Sequence, residues 1–201
     1  MRTARTDSPT KDRLLHAAQE LMLAKGYNAT TVDEICEAAG LTKGSFFHYF
    51  KGKEELGAAV LERFCDSTMQ MMQTAPHRQI KDPLERLFGY VDFLIEMSRS
   101  PMAAKGCLLG TFAQELSDTH PKIRSMCAAR FSKWAEGIKV DLDAAKAAYA
   151  AKARWDTGSL AEHFIAVMEG GMILAKAKQD QTVIEENLRH FRRYLSSLFG
   201  K

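Results

Sequence analysis

Three observations predict an all-α protein of about nine helices. Apolar residues recur at helical spacing in one segment after another, Pro and Gly punctuate the chain between segments, and no alternating β-branched run is long enough for a strand. The 201 residues, 46% hydrophobic and 26% charged, suffice to bury a core in one domain or two small ones, and exclude disordered and fibrous classes.

Ser8-Pro9 offers an N-cap with Pro at the first helical position, and Leu14, Ala18, Leu21 and Met22 form an apolar face that stops at Lys25-Gly26. Thr31-Val32-Asp33-Glu34 is a capping box: Thr31 accepts from a free backbone N–H and Glu34 reaches back. It opens a short helix with Val32, Ile35, Cys36 and Ala39 on its buried face. Gly40 breaks that helix, and Thr42 caps a third, whose end is crowded by Phe46, Phe47, Tyr49 and Phe50. A fourth runs from Lys53 with Leu56, Val60 and Phe64 on one side.

Beyond about residue 75 the amphipathic segments lengthen. Asp82-Pro83 starts a helix carrying Leu84, Leu87, Phe88 and Val91, and a shorter one holds Cys107, Leu108, Phe112 and Leu116. Pro121 starts another with Ile123, Cys127, Phe131, Trp134 and Ile138. Ser159-Leu160-Ala161-Glu162 reads as a second capping box, opening a helix over 160–178 with Leu160, Phe164, Val167, Gly171 and Leu174. Thr182-Val183-Ile184-Glu185 opens the last, with Ile184, Leu188, Phe191 and Leu195. No fixed-period repeat is visible.

Several function classes fall away. The longest stretch without Asp, Glu, Lys or Arg is 67–77, 11 largely polar residues, against roughly 20 apolar ones for a membrane span. Residues 1–6 lack the apolar region of a secretory signal, so the chain is expected in the cytoplasm, away from membranes. Cys36, Cys65, Cys107 and Cys127 lie far apart, suiting neither a zinc site nor a disulfide scaffold. Without paired Cys/His ligands, a nucleophile elbow, a phosphate-binding Gly loop or a zinc-spaced His/Glu pair, the chain is expected to be no enzyme and to need no metal or cofactor. His77, His120, His163 and His190 are scattered and read as solvated.

The net charge of +3 names no partner, but its distribution does. A DNA-binding helix-turn-helix needs two helices joined by a tight turn, the second short and free of negative charge. Residues 38–53 contain no Asp or Glu but include Lys43, Lys51 and Lys53. Gly44 permits close backbone approach, and Thr42 and Ser45 supply hydroxyls for phosphates or base edges.

The run Gly26-Tyr27-Asn28-Ala29-Thr30-Thr31-Val32-Asp33-Glu34-Ile35, then Ala39-Gly40-Leu41-Thr42-Lys43-Gly44-Ser45-Phe46-Phe47-His48-Tyr49-Phe50, then Lys53-Glu54-Glu55-Leu56, resembles the N-terminal domain of TetR/AcrR-family transcriptional regulators. The resemblance implies a three-helix DNA-binding domain over 1–53 and a ligand-binding and dimerisation domain over 54–201, the helix from about 53 to 75 bridging them. It implies that Thr31 grips a phosphate, that Thr42, Lys43, Ser45 and Phe46 face the major groove of an operator, and that His48, Tyr49 and Lys53 clamp phosphates. Two readings of His48 stand, phosphate contact and packed core, and Phe46 and Phe50 share that ambiguity. Phe47 stands where the family commonly has Tyr, and Gly52 where Ser or Asn is usual.

In the remainder, the resemblance implies a small-molecule effector and a homodimer. Gly170-Gly171 in mid-helix costs about 1 kcal/mol per Gly relative to Ala, understandable if another helix approaches closely. Phe164, Gly170, Gly171, Leu174, Phe191 and Leu195 are therefore expected at a dimer interface; packing within one subunit is the alternative. Met69, Met72, Phe88, Met97, Cys107, Phe112 and Trp134, with Met71, Met102 and Phe93, are expected around an adaptable apolar ligand pocket, or as core. Gly106-Cys107-Leu108 is similar to a segment in some family members whose thiol detects electrophiles or oxidants; a small buried side chain is the other reading.

Overall fold

A computed structural model describes residues 8–101 and 103–201; the expectations for residues 1–6 and for Met102 lie outside them. Nine α-helices and two 3₁₀ turns, with no strand, are found among the described residues. They are α1 (Pro9–Lys25), α2 (Val32–Ala39), α3 (Lys43–Tyr49), α4 (Lys53–Thr74), a 3₁₀ turn (Pro76–Gln79), α5 (Pro83–Ser98), a second 3₁₀ turn (Ala103–Lys105), α6 (Leu108–Leu116), α7 (Pro121–Tyr149), α8 (Thr157–Lys178) and α9 (Thr182–Leu198).

Two compact units result. The first takes residues up to Thr68 together with Leu108–Cys127, the second Met69–Cys107 with Ala128–Lys201. The first thus extends past the boundary expected at 53/54 and recruits α6 from later in the chain. Its core comprises Leu14, Ala18 and Met22 of α1, Ile35 of α2, Phe46 of α3, Leu56 and Val60 of α4, and Phe112 and Leu116 of α6, all fully buried. Gly26 ends α1 at φ 87°, where a Cβ would collide with the Glu115 carboxylate. That carboxylate accepts from the backbone N–H groups of Tyr27 (3.2 Å) and Asn28 (2.9 Å).

The second unit packs α5, the later part of α7, α8 and α9 around Leu84, Leu142, Phe164, Ile184 and Leu188. Trp134 donates its indole N–H to the Tyr90 hydroxyl at 2.9 Å, and Asp141, 6% exposed, holds both Arg78 and Arg86. The capping box expected at Ser159 does not form. The helix starts earlier, at Thr157, because Asp156 accepts from the Ser159 N–H at 2.7 Å and caps it instead. His77 is also not solvated: its ring is 3% exposed, packed near Tyr90 (5.2 Å) and Phe93 (5.8 Å), and neither ring nitrogen has a partner.

Candidate nucleic-acid interface

Local signals build the α2–α3 corner. Thr31 caps α2 through its hydroxyl, which accepts from the Glu34 N–H at 3.3 Å, while Glu34 accepts from the Thr31 N–H at 2.9 Å. Lys25 reaches the same carboxylate at 2.5 Å. Together the Lys25 bond, the largest influence, and the Thr31 bonds hold Glu34 down to about 2. Gly40 closes α2 in the left-handed region (φ 60°, ψ 41°), and Arg13 donates to the Ala39 carbonyl at 2.5 Å. Thr42 then caps α3, accepting from the Ser45 N–H at 3.1 Å.

This corner leaves Thr31, Thr42, Lys43, Gly44 and His48 exposed and Ser45 and Tyr49 half-buried. His48 is thus not a core residue; its ring lies edge-on to Tyr49 at 4.8 Å. Lys43 forms an exposed ion pair with Asp33 at 2.7 Å, which raises its pKa. Such a surface pair is worth little in water, so a phosphate can displace the carboxylate at small cost. Tyr49 donates to the Ser8 hydroxyl at 2.9 Å, so Ser8 anchors α3 rather than capping α1 through its side chain.

Two expected contacts need correction. Phe46, expected to face a groove, is 0% exposed; its ring packs 5.9 Å from Phe50, four residues on and therefore on the same helical face. Phe47 is the aromatic side chain that α3 turns outward, at 58% exposure. Lys53, expected to clamp a phosphate, donates to the carbonyls of Tyr27 (3.2 Å) and Thr30 (3.0 Å) and sits 4.3 Å from the Tyr27 ring centre. Two of its ammonium N–H groups are thus held by the α1–α2 loop, whereas Lys51 is exposed.

The residues expected around a ligand are not all together. Phe112 is fully buried in the first unit, 5.5 Å from Tyr27. Phe88 is 6% exposed in the second core, under the Arg192 guanidinium. Met69, Met72, Met97 and Trp134 are half-buried in the second unit. Cys107 is also half-buried, unlike the buried Cys36, Cys65 and Cys127. It hydrogen-bonds Glu169, whose pKa burial pushes up and this bond pulls down. A groove of about 600 Å³ in the second unit is lined instead by Pro76, His77, Ile80, Gly89, Asp92, Phe93, Ile95, Glu96 and Arg189, of which Phe93 alone belongs to the expected set.

The expected interface residues divide likewise. Phe164, Phe191 and Leu195 are buried in the core of the second unit, and Gly171 meets Ile184 and Asn187 of α9, with distances of 3.6 and 3.7 Å from a Cβ placed there. Close approach at Gly171 is therefore within one chain. Leu174 (45%), with Ile173 (48%) and Tyr194 (44%), remains exposed, and space is open above Gly170.

A capped helix-turn-helix, carried on an otherwise helical chain, defines a DNA-binding regulator. Residues 14–60 match the model for bacterial regulatory proteins of the tetR family, and residues 83–191 match the tetracyclin repressor-like C-terminal domain. The chain belongs to the TetR family of transcriptional regulators. It is similar to the HTH-type transcriptional repressor DhaR of Mycobacterium sp. (strain GP1), 25% identical over 90% of this chain and 89% of that one. It is also similar to the transcriptional regulator AcuR of Cereibacter sphaeroides, 29% identical over 90% of this chain and 83% of that one. Among solved structures, the regulatory protein TetR from Rhodobacter sphaeroides superposes with a TM-score of 0.82 at 28% identity, covering 93% of this chain and 99% of that one. Among the described residues, no helix is long and apolar enough to cross a membrane.

Proposed function

We propose that the protein is a homodimeric repressor that binds a palindromic operator in the cytoplasm and is released when a small molecule enters its second unit. The observation that carries the DNA-binding part is the surface of α3: Thr42, Lys43, Gly44, Ser45, His48 and Tyr49 are at least partly exposed, and no carboxylate lies between residues 38 and 53. Thr31, at the start of α2, is exposed, and a phosphate takes its hydroxyl by replacing the Glu34 carboxylate to which it donates at 2.9 Å. Two such surfaces related by a two-fold axis read half-sites about one helical turn or more apart. The dimer is formed by the exposed apolar face of α8 and α9, Ile173, Leu174 and Tyr194 around Gly170. The half-buried Met69, Met72, Met97 and Trp134 offer adaptable apolar surface to an effector, and α4, which contributes residues to both units, carries the signal. Selection of bound sequences from random duplexes tests this reading; a two-fold-symmetric consensus supports it, and recovery of unrelated sequences contradicts it.

A second reading of the same fold makes Cys107 the effector site, as an electrophile sensor. It is favoured by Cys107 being the one cysteine of four that is not buried. On this reading N-ethylmaleimide releases the wild type from DNA but leaves Cys107→Ser bound; equal release of both removes Cys107 from the mechanism.

A further inference from the structure

On the surface offered to DNA, one side chain can make no hydrogen bond. Phe47 is 58% exposed, matched among the large apolar side chains of the described residues only by Val140 on α7. Its ring stands edge-on against the fully buried Phe46 at 5.1 Å and 83°, which fixes where it points. Around it α3 presents Lys43, Gly44 and His48, all exposed and none acidic. A phenyl ring left this open in water loses the benefit of burial that comparable aromatics in this chain obtain. It cannot grip a phosphate. The feature of a base edge that it fits is the C5-methyl group that thymine alone among the four bases presents in the major groove.

We propose that Phe47 is a specificity-determining residue that selects thymine through its 5-methyl group. The inference rests on the DNA-binding reading above and adds which base is read, by which side chain. It assigns the base-reading role to an apolar contact beside the polar contacts of Thr42, Lys43 and Ser45.

The test uses the full-length protein and the duplex obtained by selection. Each thymine is replaced singly by deoxyuridine, which removes the methyl group and keeps the base pair. Wild type is expected to lose about four-fold in affinity at one position of a half-site, the worth of one buried methyl group. Replacement in both half-sites should cost about sixteen-fold, the square of that factor. Phe47→Ala is expected to bind the thymine and uracil duplexes equally at that position, while Phe47→Leu retains part of the difference. Wild-type indifference to uracil at every position overturns the proposal, as does a Phe47→Ala protein with the full difference. Failure of the wild type to select any duplex would instead overturn the DNA-binding reading, and this inference with it.

Discussion

The Lys53 ammonium lies 4.3 Å from the centre of the Tyr27 ring and donates to the Tyr27 carbonyl at 3.2 Å, joining the start of α4 to the loop after α1. A second bond, to Thr30 at 3.0 Å, makes the lysine a brace of the helix-turn-helix. Lys53→Met should therefore lower unfolding stability by about 1–2 kcal/mol in urea titrations, the usual worth of such bonds. It should leave the salt dependence of DNA affinity unchanged. Lys51→Met should do the reverse, with unchanged stability and a log–log salt slope reduced by about one.

The Thr31–Glu34 box gives a second expectation. Thr31→Ala should cost about 1 kcal/mol of stability, and Thr31→Ser should restore it. Glu34 is held at about 2 in the folded chain against 4.5 ordinarily, so its contribution is complete above about pH 4.5 and is lost as pH falls through about 2. Glu34→Gln should lack this acid-dependent component, as read from melting temperatures across that range.

His77 reports on pH nearer neutrality. Burial, followed by the Arg78 charge, lowers its pKa; Arg86 acts in the same sense and Asp141 opposes them. The unfolded chain therefore binds a proton at His77 more readily than the folded one. Stability from this residue is complete above about pH 6.5 and declines as pH falls from there through the lower folded value. His77→Phe should flatten the decline in thermal melts between pH 7 and 5; an identical decline in that variant would contradict the assignment.

The α8–α9 surface separates folding from association. Gly171→Leu should destabilise the subunit by about 1–3 kcal/mol, because the new side chain must enter packed space beside Ile184. Ile173→Glu combined with Leu174→Glu, both at exposed positions, should leave folding intact but give monomers in sedimentation velocity. A double variant that sediments as a dimer would place the interface elsewhere.

What could be read from the chain follows from where each structural cause lies. The α2–α3 corner was legible because its determinants are local: the box at Thr31, the left-handed Gly40 and the cap at Thr42 all act within four residues. The two readings of Phe46, groove or core, could have been separated, since Phe46 and Phe50 share a helical face and Phe47 does not. Other features had no local trace. Glu115 reaches Tyr27 and Asn28 from α6, which also brings Phe112 into the first unit, and His77 is buried by Tyr90 and Phe93 of α5. Asp156 took the cap of α8 because an Asp just ahead of Thr157 competes directly with Ser159.

On the proposed reading, α3, which carries no acidic residue, meets the DNA backbone and bases. Ser45→Asp tests it most directly, because an acidic residue in the first turn of a helix supports folding while placing a negative charge against the duplex. Ser45→Asp should melt no lower than wild type in thermal denaturation, while fluorescence anisotropy with the selected duplex, across a salt series, should show that it has lost specific binding. If that variant bound the same duplex with wild-type affinity and salt slope, α3 would not be the surface that meets DNA.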